Sequence, residues 1–291
     1  MSALDDLVSL LDLEQLEVNL FRGESLDRDR VRLYGGEVLA QALMAVGRTV
    51  EPDRRVHSMH AYFLKLGDPK VPVVYDVDRI RDGGSFTTRR VVAIQHGRAI
   101  FNMAASFHVD EPGPEHFDAV PDVATPDHLP PLEIPADDDL EPIDRQGAPH
   151  VVDALEFRHL GDGWAPPGVN RGNPPRDPDQ DTWFRTRGRM PDDPLLHACV
   201  VAYASDLTLL GSSTLPHPLA ADDAGYMIAS LDHVMWFHRP CRADEWLLYH
   251  LHSPAAAHGR GLSYGGIFRR DGIQCITIAQ EGLMRPVKSR A

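Results

Sequence analysis

Residues 195–210, with the sequence LLHACVVAYASDLTLL, form a helix-length stretch that is apolar on almost every side. A helix without a polar face is normally buried, so this stretch predicts a core helix. It nevertheless carries one carboxylate, Asp206, and no Lys or Arg lies beside it. Burying a charge is costly unless a partner compensates it. Asp206 is therefore predicted to be either a structural group with a buried partner or a functional residue.

The apolar and polar positions divide the rest of the chain into two similar halves. In the first half, residues 34–50 have the spacing of one helix face, and four strand-like runs follow between residues 57 and 109. In the second half, the helix of residues 195–210 is followed by four such runs between residues 228 and 285. Each half therefore predicts one long helix packed on an antiparallel sheet, which is an α+β fold.

Matching aromatic residues give the spacing of the two halves. Phe63 and Tyr75 in the first half correspond to Phe237 and Tyr249 in the second, so the repeat is about 174 residues long. A repeat of this length is too long for a solenoid. It predicts a duplicated domain.

Proline-rich stretches mark the boundaries between the predicted units. Residues 110–149 are rich in prolines and acids and have no sustained period, which predicts a linker. The predicted domains are then residues 1–109 and residues 150–291. A further proline-rich stretch, residues 161–181, predicts a long surface loop within the second domain.

The duplication allows the two halves to be compared position by position. Three polar residues of the second half match mostly apolar positions in the first: Gln280 matches Ala105, Ser230 matches Val56 and His57, and Asp206 matches residues 42–44. Polar groups needed only for packing would be present in both copies. The asymmetry therefore favours a functional role for these three residues.

Composition limits the partners and the compartment. The chain of 291 residues has a formal net charge of −14, which argues against a nucleic-acid partner or an anionic membrane surface. Its three cysteines are far apart and predict reduced thiols in a cytoplasmic protein. Residues 1–16 contain acids and no basic segment, so they predict an amphipathic helix rather than a signal peptide. No apolar run approaches the length of a membrane span.

Nine motifs occur in order between residues 20 and 285: LFRG (20–23), YGGEVLAQAL (34–43), VHSMHAYFLKLGDP (56–69), RIRDGGSFTTRRVVAIQHG (79–97), YASDL (203–207), SLDHVMWFHRP (230–240), EWLLY (245–249), GRGL (259–262) and AQEGLMR (279–285). Together they strongly resemble the acyl-CoA thioesterase II family, the double-hotdog thioesterases. The resemblance implies a double hotdog, in which each half is a long helix on an antiparallel sheet. It also implies hydrolysis of acyl-CoA thioesters to free fatty acid and CoA without a metal or other cofactor.

The family uses an Asp, a Thr or Ser, and a Gln to position and activate a hydrolytic water. By resemblance these roles belong to Asp206 in YASDL, Ser230 in ASLDH and Gln280 in AQEG, the same residues that the internal comparison favours. All three catalytic groups then lie in the second domain. Many relatives have Thr where this chain has Ser230, which keeps the hydroxyl, so activity is expected to survive.

Five residues of the first half are predicted to contact the substrate: Gly35, Gly36, Glu37, His57 and Arg89. A backbone N–H near the paired glycines, at the start of a helix, is suited to polarise a thioester carbonyl. Relatives often have Gln in place of Glu37, and a carboxylate cannot donate the hydrogen bond that an amide donates. Arg89 lies among several arginines that are candidates to meet the phosphates of coenzyme A, and the alternative for these arginines is a solvated face paired with aspartates. The expected partners are acyl-CoA and further copies of the chain, as a dimer or tetramer, with no nucleic acid and no membrane.

Two other functions stay open at this stage. A hotdog-fold enoyl-CoA hydratase would need an Asp and a His close together on one segment, and residues 207–211 contain no His. A non-catalytic acyl-CoA binding or assembly module would be expected to have lost at least one of the three polar residues.

The pair His233 and His238 has odd spacing on a predicted strand, so the two side chains point to opposite faces. They are predicted to be core or hydrogen-bonded residues rather than metal ligands.

Overall fold

The computed structural model describes residues 2–26, 32–132, 153–161, 174–217 and 226–286. These residues form three α-helices: α1 (Ala3–Leu10), α2 (Gly35–Gly47) and α3 (Pro194–Ser205). They also form thirteen strands: β1 (Glu14–Glu17), β2 (Leu20–Gly23), β3 (Arg54–Phe63), β4 (Val73–Asp82), β5 (Phe86–Gln95), β6 (Arg98–Val109), β7 (Leu155–Leu160), β8 (Asp179–Thr186), β9 (Tyr226–Ser230), β10 (Asp232–Phe237), β11 (Leu247–Ala257), β12 (Arg260–Arg269) and β13 (Gln274–Pro286). Short 3-10 helices lie at Pro126–His128 and Leu209–Thr214.

The strands of the described residues join in one antiparallel sheet whose order reflects the duplication. Along the sheet the order is β1-β2-β4-β5-β6-β3-β10-β13-β12-β11-β8-β7, and β9 pairs with β13. From either edge towards the middle, each half contributes an antiparallel pair of strands and then four strands in an equivalent order. The two long helices, α2 and α3, contact each other and pack on this sheet. The α+β double-hotdog fold expected from the sequence is confirmed.

Strands β3 and β10 form the seam between the halves. Val234 lies opposite His60, and the repeat relates these two residues to each other. The same exchange maps the flanking pairs onto one another: Asp232 with Tyr62, and Trp236 with Ser58. The halves are therefore related by a local two-fold axis through the middle of the sheet.

The apolar stretch that leads to Asp206 is buried, as the sequence predicts. Asp193 caps the start of α3 by accepting the N–H of Leu195 at 2.9 Å, and Pro194 occupies the first turn. The sequence expectation that no apolar run approaches a membrane span is wrong by length and composition: Pro194–Thr214 is long and apolar enough to cross a membrane, but 78% of its most apolar part is buried inside the fold. Contact with α2 and the sheet accounts for its apolar character.

The end of α3 differs from the sequence prediction. The helix stops at Ser205, and Asp206 is its C-cap. The C-cap of α2 is Arg48, so the expected match of Asp206 with residues 42–44 is wrong. Both helices are apolar on nearly all sides, and a pattern without a polar stripe cannot fix the register of one helix on another.

The proline-rich stretches also differ in part. Residues 179–181 of the expected loop at 161–181 begin β8, and residues 162–173 lie outside the described residues. Of the predicted linker at 110–149, residues 133–149 lie outside the described residues as well. The domain boundaries drawn from these stretches stay predictions.

Met235 provides a test of the seam. Its side chain is fully buried and lies opposite Met59, which is also fully buried. Truncation should leave a cavity, so Met235→Ala is expected to lower the free energy of unfolding by about 2–5 kcal/mol. Met227 is 47% exposed and gives a matched control. Met227→Ala should change the free energy of unfolding by less than about 0.5 kcal/mol. Equal effects in chemical denaturation would contradict a core shared across the seam.

Candidate active site

The three polar residues favoured by the sequence meet at the end of α3. Asp206 caps this helix, and its side chain is only 5% exposed. Its Oδ1 atom accepts a hydrogen bond of 2.7 Å from Gln280 Nε2 on β13. Ser230 Oγ, at the end of β9, donates a long hydrogen bond of 3.5 Å to the same oxygen. Three separate elements therefore converge on one carboxylate oxygen.

Pairing between β9 and β13 puts Ser230 and Gln280 on one face of the sheet. Ser230 lies opposite Gly282, two residues beyond Gln280, and side chains two apart on a strand share a face. A β-carbon at Gly282 would lie 2.0 Å from a methyl group of Leu210, in the 3-10 helix that follows α3. The glycine thus allows the segment after Asp206 to pack directly on the sheet beside the site.

The start of α2 lies against Asp206. A β-carbon at Gly35 would lie 2.6 Å from Asp206 Oδ2 and 3.1 Å from the ring of Phe63. A β-carbon at Gly36 would lie 2.6 Å from the backbone oxygen of Tyr203. Only glycines fit at these two positions without displacing their neighbours. Gly35 therefore lies against the predicted catalytic group and Gly36 lies against the last turn of α3, and both glycines come from the other half of the chain.

The two helices place opposite partial charges beside the carboxylate. Asp206 follows the last turn of α3, where the helix dipole is negative and disfavours an anion. The first turn of α2, where the dipole is positive, faces its Oδ2 atom. The N–H groups of Gly35 and Gly36 have no partner within the helix, because the first N–H groups of any helix lack one. The first turn of α2 is therefore an anion-stabilising site next to Asp206.

Two tyrosines bind the backbone carbonyls at the end of α3. Tyr34 donates a hydrogen bond of 2.7 Å to the oxygen of Tyr203, and Tyr249 donates one of 3.2 Å to the oxygen of Ser205. Burial raises the pKa of Tyr34 and of Tyr249 well above the usual range, and the negative charge of Asp206 adds to the effect. Both hydroxyl groups therefore stay neutral donors.

Sequence reasoning missed two residues at this site. His233 is fully buried, with Nδ1 at 3.0 Å from Gln280 Nε2 and 3.5 Å from Asp206 Oδ1. The signal was a histidine in β10 where the first half has a methionine, Met59, at the matching place. Arg32 is the second: burial lowers its pKa, and the carboxylate of Asp206 acts in the opposite direction. No local pattern connects Arg32 with Asp206, because they lie in different halves.

The structure contradicts a substrate contact for Arg89. Its side chain is 1% exposed. All five guanidinium N–H donors are used inside the fold, by the hydroxyl and backbone oxygens of Thr49, by the Asp82 carboxylate and by the backbone oxygens of Arg81 and Thr88. No donor is left for a coenzyme A phosphate. A cluster of arginines in the sequence could not reveal which member turns inward.

The side chain of Glu37 is also part of the interior. It is 2% exposed and accepts a hydrogen bond of 3.2 Å from Ser25 Oγ. Burial raises the pKa of the neighbouring Tyr75, and the Glu37 carboxylate adds to this rise. Contacts of this kind hold the first turn of α2 in place, so Glu37 supports the site through its position in the helix.

His57 lies away from the carboxylate. Its Nε2 atom is 2.8 Å from Ser106 Oγ, and burial lowers its pKa. Along β3 it is five residues from Tyr62, which pairs with Asp232 next to the site. At about 3.3 Å per residue the separation is roughly 17 Å, too far for contact with a group held at Asp206. A contact of His57 with a more distant part of the substrate stays a prediction.

Comparison with known families covers both halves. The acyl-CoA thioesterase family matches residues 173–283, and the acyl-CoA thioesterase N-terminal domain family matches residues 26–108. Acyl-coenzyme A thioesterase 8 of Mus musculus is 42% identical over 95% of this chain and 88% of its own length. Acyl-CoA thioesterase 2 of Haemophilus influenzae is 37% identical over 97% of this chain and 98% of its own length.

Solved structures with similar folds include two that cover nearly the whole chain. The acyl-CoA thioesterase II TesB2 from Mycobacterium marinum has a TM-score of 0.79 and 44% sequence identity, covering 96% of this chain and 98% of that chain. A conserved hot dog fold protein of unknown function from Alicyclobacillus acidocaldarius has a TM-score of 0.75 at 19% identity and covers all of both chains. The second likeness concerns the fold alone.

Gly35 tests the contact between α2 and Asp206. Gly35→Ala would force the new methyl group, the carboxylate and the Phe63 ring apart, so the free energy of unfolding should fall by about 1–3 kcal/mol. Gly84 is the matched control, since a β-carbon there meets no atom within 4 Å. Gly84→Ala should leave stability unchanged or raise it by less than about 1 kcal/mol. If denaturation curves of the two variants coincide, the close approach of α2 to Asp206 is wrong.

Proposed function

This chain is an acyl-CoA thioesterase and belongs to the acyl-CoA thioesterase II family, and we propose that Asp206 is the base that activates the attacking water. Ser230 and Gln280 orient the carboxylate and the water, and the products are a free fatty acid and CoA. One observation carries the proposal. Oδ1 of Asp206 is held by Gln280 at 2.7 Å, while Oδ2 faces the first turn of α2 from the other half.

The two carboxylate oxygens have different tasks in this proposal. Oδ1 is occupied by the hydrogen bonds from Gln280 and Ser230, so the Oδ2 lone pairs are available to a water. The water gives one proton to Oδ2 while its oxygen attacks the thioester carbonyl carbon. Gln280 Oε1 is buried and has no hydrogen-bond partner among the described residues, so it is suited to accept the second hydrogen of this water.

The carbonyl oxygen of the substrate is expected at the first turn of α2. Attack converts this oxygen into an oxyanion, and backbone N–H groups at a helix start stabilise such a charge. Gly35 and Gly36 have no side chains to keep a ligand away from their N–H groups. The same two glycines thus allow α2 to approach both Asp206 and the reacting carbonyl.

The second half of the reaction needs little from the protein. The tetrahedral intermediate collapses, the carbon–sulfur bond breaks, and CoA leaves as a thiolate. A thiolate is a good leaving group, and it takes up the proton that Asp206 accepted from water. The route forms no covalent acyl-enzyme, and one aspartate serves first as the base and then as the acid.

Assembly and location stay predictions. The cysteines are free, with Cys199 and Cys275 buried and Cys241 half-buried, which is compatible with a reducing compartment. We propose a cytoplasmic location and assembly into a dimer or tetramer. Size-exclusion chromatography with light scattering measures the assembly directly.

Asp206→Asn tests the proposed base. The amide keeps the shape of the side chain and loses the ability to accept the water's proton, so kcat should fall by roughly 10²- to 10⁴-fold while acyl-CoA still binds. Ser230→Ala and Gln280→Ala should lower kcat by a smaller factor, because Ser230 and Gln280 only orient the carboxylate and the water. Release of free CoA thiol from acyl-CoA substrates, measured in the presence of EDTA, gives the rates. Activity that disappears with EDTA would contradict the expected reaction without a metal.

Asp244→Asn is the matched control for burial. The Asp244 side chain is 6% exposed, close to the value for Asp206, but its carboxylate is paired with Arg242 and with the backbone of Met190. Asp244→Asn should lower stability and leave kcat of the folded protein unchanged. Near-normal turnover in Asp206→Asn would return Asp206 to a purely structural role. An equal loss of kcat in both variants would have the same meaning.

A further inference from the structure

His233 connects α3 to the amide of Gln280. It is fully buried, and its Nε2 atom lies 3.0 Å from Ser205 Oγ. Ser205 Oγ also lies 2.8 Å from the backbone oxygen of Ala202. On its other side, Nδ1 of His233 lies 3.0 Å from Gln280 Nε2, which donates to Asp206. A chain of hydrogen bonds therefore runs from the backbone of α3 to the carboxylate.

The proton positions in this chain follow from the carboxylate. Asp206 Oδ1 can only accept, so the Gln280 group at 2.7 Å is the NH2 group and not the carbonyl oxygen. The second N–H of that group is donated to Nδ1 of His233, which therefore carries a lone pair. The imidazole is then neutral with its proton on Nε2, which it donates to Ser205 Oγ. Ser205 in turn donates to the backbone, so each donor in the chain has one acceptor.

The first half shows what this position needs for folding alone. Met59 corresponds to His233: each is fully buried and lies four residues before the phenylalanine that ends its strand. Ala105 stands in the first half in place of Gln280. The histidine thus accompanies the glutamine, and a thioether suffices where no glutamine is present. This pattern connects His233 with Gln280 rather than with packing of the sheet.

We propose that His233 is a positioning residue for thioester hydrolysis, an inference that rests on the proposed roles of Asp206 and Gln280. By accepting one N–H of Gln280, His233 fixes the plane of the amide. The other N–H then meets Asp206 Oδ1, and Oε1 is directed away from the carboxylate. Without this acceptor the amide is free to turn about its last side-chain bond. Oε1 would then approach the carboxylate, repel it and leave Oδ1 without its shortest hydrogen bond.

Three substitutions at this position separate the hydrogen bond from packing. His233→Met introduces the residue that the first half tolerates and removes both nitrogens. His233→Asn keeps an acceptor near the place of Nδ1, within reach of Gln280. His233→Gln places its amide near the place of Nε2, within reach of Ser205 and not of Gln280. Each variant is measured for kcat, KM and the melting temperature.

The three His233 variants should differ in kcat in a defined order. His233→Met and His233→Gln should lower kcat by roughly 10- to 10²-fold with KM changed less than about three-fold, because the displaced groups act on the transition state. His233→Asn should recover at least about five-fold of that loss, since the acceptor for Gln280 is restored. Equal kcat in all three variants would overturn the proposal. So would kcat that follows the melting temperature rather than the identity of the acceptor.

A measurement on the wild-type protein keeps the proposal testable if these variants fail to fold. Neutron diffraction near neutral pH should find deuterium on Nε2 of His233 and none on Nδ1. Deuterium on Nδ1 would mean that His233 does not accept from Gln280, and the proposal would be wrong.

The kcat values of Asp206→Asn, Gln280→Ala and His233→Met together separate this inference from the proposed function. If Asp206→Asn and Gln280→Ala lose activity while His233→Met keeps the wild-type kcat, only the inference about His233 fails. If Asp206→Asn keeps its activity, the proposed function fails, and the inference about His233 fails with it.

Discussion

The contact between the end of α3 and the start of α2 is the constraint on which the site depends. Asp206 lies where the dipole of α3 disfavours an anion, and the first turn of α2 supplies the opposite partial charge. That approach requires the absence of side chains at Gly35 and Gly36, since β-carbons there would meet Asp206 Oδ2 and the backbone of Tyr203 at 2.6 Å. The seam of β3 with β10 joins the two halves in one sheet, and α2 and α3 then contact each other. A carboxylate of one half is thus placed by the backbone of the other.

Duplication has produced two halves of the same fold that supply different residues to one site. The two halves keep the same strand order and the same seam, so packing is satisfied in both. The polar residues differ: His233 and Gln280 in the second half stand where the first half has Met59 and Ala105. The first half instead contributes the paired glycines at the start of α2. The halves have the same architecture and supply different parts of one site.

The sequence predicts the fold and the central carboxylate, and the reasons are physical. Strand alternation and helix spacing repeat over the two halves, and the turns at Gly97 and Gly272 have positive φ angles of 68° and 88°, as glycine turns allow. Asp206 stood out because a charge in an apolar helix needs a reason. The closeness of Ser230 and Gln280 to Asp206 came from a comparison of the two halves and from family resemblance.

The remaining features depend on tertiary contacts that no local pattern contains. Arg89 was wrong as a substrate contact because its inward orientation depends on Thr49 and Asp82, which lie on other segments. The sequence predicts that His233 is a core or hydrogen-bonded histidine, and it is both. Its contact with Gln280 requires β10 and β13 to be neighbours, which the sequence alone does not specify. The register of Asp206 was also misplaced, since an apolar helix offers no polar stripe to align.

A crystal structure of Asp206→Asn with an intact acyl-CoA bound would show whether position 206 acts on a water or on the thioester itself. We expect the thioester carbonyl oxygen about 3 Å from the N–H groups at the start of α2. We also expect a water between the carbonyl carbon and the side chain at position 206. A thioester held away from α2 would contradict the proposed mechanism. So would a side chain at position 206 in direct contact with the carbonyl carbon and no water between them, because that geometry would make Asp206 a nucleophile and not a base.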